Sequence, residues 1–160
     1  MTISFSSKDL QHFIESNQID ATILPMNGHT PTVSDAAREL GVQTDQIIKS
    51  LIFVANDSPL LVIKNGLSRV DRKKLAVLMG VGRKKVKFAT AEQALEMTGF
   101  VVGSMPPFGH RQQMRTLVDT AVMALDTIYG GGGNIDAMMR LTPQELIKVT
   151  GAEVHALSES

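Results

Sequence analysis

The predicted centre of the fold reads Gln46-Ile47-Ile48-Lys49-Ser50-Leu51-Ile52-Phe53-Val54-Ala55, followed by the turn Asn56-Asp57-Ser58-Pro59. Apolar side chains occupy both odd and even positions of the first segment, so we expect a strand that is covered on both faces. The turn and the apolar run at 60–64 complete a predicted hairpin. Helical patterns and short strands surround this hairpin without a βαβ repeat. The sequence of 160 residues therefore predicts one α/β domain over residues 1–160, with a mixed, mostly antiparallel sheet flanked by helices.

Local signals predict the neighbouring elements. Helices are expected at residues 71–79 and 91–97, each followed by a glycine that can end it. Strands are expected at residues 100–102 and 116–118. The four glycines at 130–133 are interpreted as a flexible turn or as a place where two backbones approach closely.

The composition excludes several classes of protein. The chain contains no cysteine, so disulfides, thiolate metal sites and cysteine nucleophiles are excluded. GxSxG, HExxH and GxxxxGK[ST] motifs are absent and the four histidines are scattered, so neither a metal nor a cofactor is expected. No apolar run approaches the ~18 residues of a membrane span, and no secretory signal is evident. We therefore expect a cytoplasmic protein without membrane attachment.

Positive charge is concentrated in one segment of a chain whose formal net charge is zero. Residues 69–87 hold eight of the sixteen Lys and Arg residues, against the single acid Asp71. Such a run is typical of a solvated helix face, but it would equally suit a local phosphate-binding patch. On the second interpretation, the candidate contacts to nucleic acid are Arg72, Lys73, Arg83, Lys84 and Lys85.

Lys49 is the one charged residue inside the predicted central strand, where it shares a face with Ile47, Leu51 and Phe53. A buried ammonium group is costly unless it is paired. Lys49 therefore either lies near the start of the strand and reaches water, or points into a cleft that takes an anion. The spacing alone leaves both alternatives open.

A second unusual segment reads Gly103-Ser104-Met105-Pro106-Pro107-Phe108-Gly109. Its two prolines fix φ and remove two backbone donors, and its glycines allow conformations that are closed to other residues. The segment is consistent with a rigid turn between strands. It is also consistent with a preformed loop whose N–H groups bind a carbonyl or phosphate oxygen.

These two segments make the sequence similar to the YbaK/prolyl-tRNA synthetase-associated editing-domain family. The resemblance rests on Lys49 within residues 47–51 and on Gly103-x-x-x-Pro107 followed by Gly109. It extends over residues 20–155 and also includes Thr116-Leu117-Val118-Asp119, the glycines after Tyr129 and the closing Leu141-Thr142-Pro143-Gln144-Glu145-Leu146.

The resemblance implies a twisted, barrel-like sheet and a free-standing aminoacyl-tRNA deacylase. Members of the family clear small amino acids wrongly attached to tRNA, often tRNA for proline, and the length of this chain implies action in trans. The implied partners are the acceptor end of mischarged tRNA and, as a candidate, prolyl-tRNA synthetase. Because no general base is evident, a positioned water and the ribose hydroxyl of the substrate would carry out hydrolysis.

The resemblance also assigns roles to residues. Lys49 would anchor the substrate, and Gly103 with Pro107 would form the loop that binds the carbonyl group. Asp119 could equally serve as a helix N-cap, and His110 is expected at the surface rather than in the pocket. The further substrate-binding candidates are Ser50, Ser104, Met105, Pro106, Phe108, Gly109, Asp119, Gly132 and Gly133.

Two departures from the family pattern leave the amino acid unassigned. Ser50 follows Lys49 where some alanine-clearing members have asparagine, and Met138 stands where some relatives carry an acid. Two other functions remain open. A non-catalytic module would bind charged tRNA or a synthetase without turnover, whereas a hydrolase of small amino-acid esters would act without tRNA and without a steep salt dependence.

Overall fold

The computed structural model describes residues 3–159. These residues form six α-helices and eight strands. The helices are α1 (Ser7–Ser16), α2 (Val33–Leu40), α3 (Arg72–Met79), α4 (Ala91–Thr98), α5 (Thr120–Met123) and α6 (Pro143–Thr150). The strands are β1 (Ala21–Pro25), β2 (Ile48–Ala55), β3 (Ser58–Asn65), β4 (Val86–Phe88), β5 (Arg115–Asp119), β6 (Ile128–Gly131), β7 (Ala137–Leu141) and β8 (Glu153–His155).

The predicted central hairpin is confirmed. Strands β2 and β3 pair antiparallel, from Ile48 opposite Asn65 to Ala55 opposite Ser58. The two turn residues, Asn56 and Asp57, have φ angles of 50° and 68°. Positive φ at both central residues is what a two-residue hairpin turn requires, and Asn and Asp tolerate it better than most residues.

The hairpin lies inside a five-stranded sheet with the order β4-β2-β3-β5-β8. Its β4–β2 and β2–β3 pairs are antiparallel, whereas the β3–β5 and β5–β8 pairs are parallel. Strands β1, β7 and β6 form a second, antiparallel sheet, which a parallel bridge between Ile47 and Tyr129 joins to the first. The mixed, mostly antiparallel α/β class is therefore confirmed, and the expected barrel-like sheet consists of two sheets joined at this corner.

Strand β2 is covered on both faces, as its apolar pattern predicts. Ile48 and Ile52 belong to the main core, which also contains Leu61, Phe100 and Met139. The alternate side chain Phe53 belongs to a second cluster, which packs around α3. Buried apolar area of this kind is the main source of stability for the domain.

Cap residues decide where the predicted helices begin and end. The Asp71 carboxylate accepts hydrogen bonds from the N–H groups of Lys73 and Lys74 and so begins α3. Gly80, with φ of 68°, ends that helix in the left-handed conformation. Thr90 and Gly99 do the same for α4. Both predicted helices are confirmed within one residue at each end.

The predicted strand at residues 100–102 was wrong, because this segment forms turns rather than a strand. The buried Thr98 hydroxyl donates to the Ala94 carbonyl (2.7 Å) and accepts from the Phe100 N–H (3.0 Å), which bends the chain immediately after α4. The Phe100 ring then enters the main core, where it meets the Phe5 ring edge-on at 5.5 Å between centroids. The apolar character of Phe100 therefore reflects core packing rather than a strand.

No helix within residues 3–159 combines the length and the apolar character needed to cross a bilayer.

Candidate active site

A cavity of about 520 Å³, here called the apolar pocket, opens beside the first half of β2. Residues 47–52 form one wall, and residues 30–33 with Ala36 form another. Lys49 is the only charged residue among the described residues that line it. The other lining residues are Phe88, Ala89, Ala91, Ala94, Val102, Gly103, Met105, Gly131 and Met138.

A second cavity of about 790 Å³, here called the basic cleft, adjoins the apolar pocket. Residues 66–73 form the largest continuous part of its wall, and Arg83 and Glu159 contribute from elsewhere. Six cations line it against two carboxylates: Lys49, Lys64, Arg69, Arg72, Lys73 and Arg83 against Asp71 and Glu159. The cleft therefore presents a local positive surface on a chain of zero net charge.

Lys49 lies where the two cavities meet. It is the second residue of β2, its side chain is exposed, and it lines both the apolar pocket and the basic cleft. Both alternatives raised by the sequence therefore hold together: the lysine is near the start of the strand and it faces a cleft. Pro31, Thr32, Val33, Leu51 and Phe88 also line both cavities.

Lys64 stands directly opposite Lys49 in the hairpin but is only 3% exposed. Its ammonium group donates to the Asn65 carbonyl (3.1 Å) and to the Ser68 hydroxyl (2.8 Å). Burial lowers the pKa of Lys64; the attraction of Asp119 opposes this, and the repulsion of Lys49 adds to it. The two lysines therefore differ: the Lys49 side chain is exposed, whereas Lys64 is buried and its ammonium group is bound by protein oxygens.

The edge of β2 is open beside Lys49. Strand β4 pairs with β2 only from Phe53 to Ala55, and the Ala89 N–H donates to the Ile52 carbonyl (2.9 Å). Backbone polar groups alternate between the two sides of a strand, so those of Ser50 point to the same side as the Ile52 carbonyl. No described strand pairs with β2 at this position on that side, and the Ser50 backbone therefore faces the apolar pocket.

The loop at residues 103–109 contributes Gly103 and Met105 to the pocket. Gly103 has φ of 98°, a conformation that favours glycine. Within residues 3–159, neither the Gly103 N–H nor the Met105 N–H donates a hydrogen bond. Ser104 between them is buried and binds the Val101 carbonyl through its N–H (3.1 Å) and its hydroxyl (2.9 Å). The loop is thus fixed through Ser104, while the N–H groups of Gly103 and Met105 have no hydrogen-bond partner within residues 3–159.

Glycines of β6 support this loop from the other side. A Cβ on Gly131 would clash with the Met105 carbonyl oxygen and would lie 3.0 Å from the Ser104 carbonyl oxygen. The Gly133 N–H donates to the same Ser104 carbonyl (3.0 Å). The glycine run is therefore a close approach of two backbones, which was one of the two interpretations of the sequence. Which loop it approaches could not be inferred from the run itself.

Two histidines lie near the loop. His110 follows the loop, is half-buried and lines neither cavity; its Nε2–H donates to the Pro106 carbonyl (2.7 Å). Burial lowers the pKa of His110, and the Pro106 bond opposes this. His29 is exposed, and its Nε2 atom lies 3.7 Å from the position that a Cβ on Gly103 would take. No motif or spacing in the sequence indicates the approach of His29.

Asp119 is 4% exposed and does not line either cavity. Its carboxylate accepts from the N–H groups of Ala121 (2.9 Å) and Leu157 (3.3 Å), and from the Ser158 hydroxyl (2.6 Å). It begins α5 and ties the end of the chain to β5, which is the N-cap alternative raised by the sequence.

The remaining candidates divide into residues that line a cavity and residues that support one. Ser50 lines the apolar pocket, and Arg72, Lys73 and Arg83 line the basic cleft. Lys84 and Lys85 are exposed outside both cavities. The candidates buried or half-buried outside the lining are Pro106, Pro107, Phe108, Gly109, Gly132 and Gly133. Within residues 3–159, no cluster of His, Cys, Asp or Glu is arranged to hold a metal ion.

Comparison with protein families matches residues 27–149 to the aminoacyl-tRNA editing domain. The uncharacterised protein YwhH of Bacillus subtilis (strain 168) is 27% identical over 144 residues, which cover 89% of each chain. EbsC of Enterococcus faecalis (strain ATCC 700802 / V583), a proposed Cys-tRNA(Pro)/Cys-tRNA(Cys) deacylase, is 25% identical over 123 residues. That match covers 76% of this chain and 74% of EbsC.

The chain is also similar to part of a longer protein and to a solved structure. The proline–tRNA ligase of Thermodesulfovibrio yellowstonii is 36% identical over 104 residues, which are 64% of this chain but only 17% of the ligase. The crystal structure of a proposed trans-editing enzyme for prolyl tRNA synthetase superposes with a TM-score of 0.91. It is 31% identical in sequence, and the superposition covers 99% of each chain.

Proposed function

Because the chain belongs to the aminoacyl-tRNA editing-domain family, we propose that it is a deacylase that acts in trans on mischarged tRNA. The proposed substrate is the ester of a small amino acid on tRNA, with tRNA for proline as the first candidate. The observation that carries the proposal is the position of Lys49 at the junction of an apolar pocket and a basic cleft. An aminoacyl-tRNA end has the same two parts: an uncharged side chain next to a phosphate-bearing strand.

The two cavities suit the two parts of this substrate. The amino-acid side chain would occupy the apolar pocket, whose described lining offers no carboxylate to pair with a basic side chain. The phosphates of the tRNA end would lie along the basic cleft. Lys49 would then hold the terminal nucleotide as a point charge, next to the ester bond.

The loop at residues 103–109 would bind the carbonyl group of the ester. Attack by water forms a C–O bond and places negative charge on the carbonyl oxygen. The unused N–H groups of Gly103 and Met105 are donors of the kind that stabilises such an oxyanion, at roughly 3 kcal/mol for a well-placed donor. The ester C–O bond then breaks and the ribose oxygen takes up a proton. The products are the free amino acid and a tRNA with its hydroxyl restored.

The proton on the attacking water needs an acceptor, and no described residue lining the apolar pocket is Asp, Glu or His. The neighbouring ribose hydroxyl of the substrate would therefore relay the proton, at an effective concentration that only a bound substrate reaches. Pro107 and the buried candidates around it would keep the loop rigid rather than touch the substrate.

The deciding experiment measures deacylation of alanyl-, cysteinyl- and seryl-tRNA for proline, with prolyl-tRNA as the correctly charged control. We expect one mischarged species to be hydrolysed and prolyl-tRNA to be spared. Lys49→Ala should lower kcat/KM by roughly 10²-fold, because the ester is no longer held in place beside the loop and a 1 Å misplacement costs about that much. Lys148→Ala, an exposed lysine on α6 outside both cavities, should match wild type.

A non-catalytic module that binds charged tRNA is the second candidate function. It is favoured by the lack of a proton acceptor among the described residues that line the apolar pocket. Binding of all the mischarged tRNAs by folded protein, without hydrolysis of any, would establish this alternative and refute the deacylase for these substrates. A synthetase partner and a cytoplasmic location are part of the same proposal, since tRNA charging takes place there.

A further inference from the structure

Phe88 is the one exposed aromatic residue among the described residues, with 51% of its surface accessible. The other five phenylalanines and Tyr129 are buried or half-buried, and the chain has no tryptophan. Phe88 ends β4 and lines both the apolar pocket and the basic cleft. Phe88 therefore lies at the same junction as Lys49. An aromatic ring that is exposed at this place suggests a ligand that contacts it.

The ring of Phe88 is held in a fixed place. It stacks on the buried ring of Phe53, with centroids 4.4 Å apart and planes 26° from parallel. The guanidinium of Arg72 lies 4.7 Å from its centroid. Phe53 and Phe88 are also direct partners in the β2–β4 pair. Phe53 covers one face of the Phe88 ring and the Arg72 guanidinium lies over the ring, so the three groups form a stack supported from the core. The outer surface of this stack consists of the guanidinium and the exposed part of the ring.

The surroundings of this surface favour a nucleobase as its ligand. Aromatic rings and guanidinium planes are the groups on which unpaired bases stack, and a neighbouring row of cations follows the phosphates. Arg83, Lys73 and Arg69 supply such a row in the basic cleft. Lys49 lies four residues before Phe53 on β2, about 13 Å along the strand. A lysine side chain and a single nucleotide together span such a distance.

We propose that Phe88 and Arg72 form a stacking platform for a base of the unpaired 3′ end of the tRNA. The identity of the nucleic acid rests on the proposed function, whereas the platform itself rests on the geometry of Phe88, Phe53 and Arg72. Stacking would keep the base outside the apolar pocket and hold the ester beside Lys49. The pocket would then receive only the amino-acid side chain.

The competing explanation is that Phe88 merely shields Phe53 from water. A leucine at position 88 would serve that purpose nearly as well, since shielding needs apolar area and not a π-face. Stacking needs an aromatic ring. The pair of variants Phe88→Leu and Phe88→Tyr therefore separates the two explanations.

A direct test uses Phe88→Trp, which would hold the only tryptophan of the chain. Its fluorescence is titrated with an RNA acceptor-stem minihelix ending in CCA, and with the same minihelix carrying three abasic residues in place of CCA. We expect quenching by the first and little or none by the second, although the two carry equal numbers of phosphates. Val77→Trp is the control, because Val77 is exposed on α3 outside both cavities. Equal quenching by both minihelices, or none by either, would overturn the platform.

A kinetic test asks whether the ring acts on the tRNA. With the tRNA substrate identified by the panel above, Phe88→Leu should raise KM roughly 10-fold and Phe88→Tyr should stay close to wild type. Hydrolysis of the same amino acid esterified to the 3′ hydroxyl of ribose, which keeps the neighbouring hydroxyl but has no base, should not distinguish the variants. A Phe88→Leu enzyme with the KM of wild type on tRNA would refute the proposal.

These outcomes separate the platform from the proposed function. Base-dependent quenching without hydrolysis of any aminoacyl-tRNA would leave the platform standing and refute the deacylase. Hydrolysis with no base-dependent quenching would support the deacylase and refute the platform.

Discussion

The apolar pocket and the basic cleft meet at Lys49 but differ in the chemistry of their walls. Six cations line the cleft, and its largest continuous segment is residues 66–73. The wall of the pocket comes from segments far apart in sequence, such as residues 30–33, Gly103 and Met138. Substitutions should therefore impair the two cavities through different physical effects. Small backbone shifts should damage the pocket, whereas the cleft should respond only to the number of its charges.

The largest effect on kcat/KM is expected from Gly131→Ala, which should displace the backbone that lines the apolar pocket. The new methyl group would clash with the Met105 carbonyl, so the loop whose N–H groups are proposed to bind the ester carbonyl must move. We expect kcat/KM to fall by about 100-fold or more, because a donor displaced by 1 Å loses most of its effect. Overpacking should also cost about 1–3 kcal/mol of the free energy of unfolding. Deacylation kinetics and urea unfolding measure the two effects.

Gly82→Ala is the matched control for this variant. Gly82 has φ of −70°, and a Cβ there meets nothing within 4 Å. The alanine should therefore fit without strain and leave both activity and stability near wild type. If Gly131→Ala remained as active as Gly82→Ala, the loop would not depend on its glycine support, and the pocket would tolerate backbone shifts as well as the cleft does.

An intermediate effect is expected when charges are removed from the cleft. Lys73→Ala combined with Arg83→Ala removes two cations that line it, whereas Lys84→Ala combined with Lys85→Ala removes two that do not. We expect the first pair to reduce the slope of log(kcat/KM) against log[salt] by about 0.7–0.9 for each phosphate that the protein no longer neutralises. The second pair should leave the slope close to that of wild type. The measurement is a salt titration of deacylation for both double variants.

Equal slopes in the two double variants would mean that position within the cleft does not matter. The positive segment would then act through its total charge, as a solvated helix face does, and the basic cleft would not be a distinct binding surface.

Sequence reasoning succeeded where neighbouring residues decide the structure. The hairpin turn at Asn56 and Asp57 and the caps Asp71 and Thr90 depend on local backbone chemistry, which the sequence displays directly. It failed at residues 100–102, where Phe100 turns into a core that the local pattern does not reveal. Sequence patterns for helices and strands depend on a few neighbouring residues. They therefore do not predict packing between distant segments.

The same division holds at the candidate site. Lys49 and Gly103 were predicted and do line the apolar pocket, because an unusual residue type in a strand or loop is visible in the sequence. The opposite wall at residues 30–33 and the support from Gly131 were not predicted. Their roles follow from tertiary contacts between segments that are not neighbours in sequence, and no periodicity or motif encodes those contacts.

The smallest effect concerns the pH dependence of the loop. His110 donates to the Pro106 carbonyl of the loop, and burial lowers its pKa. The folded protein therefore binds fewer protons than the unfolded chain as the pH falls below about 6.5. Between the lowered pKa of folded His110 and about pH 6.5, the free energy of unfolding should therefore rise with pH. The slope is at most about 1.4 kcal/mol per pH unit. Urea unfolding between pH 5 and pH 8 measures the slope.

His110→Gln keeps an N–H donor within reach of the Pro106 carbonyl and removes the titrating group, so it should flatten the slope in this window. His12→Gln, at an exposed histidine on α1, should keep the slope of wild type. Because His110 binds the loop and does not line the cleft, acid should weaken the pocket while the salt dependence of kcat/KM stays unchanged. A wild-type slope in His110→Gln would show that another group loosens the protein in acid. The pocket and the cleft would then no longer differ in their response to pH.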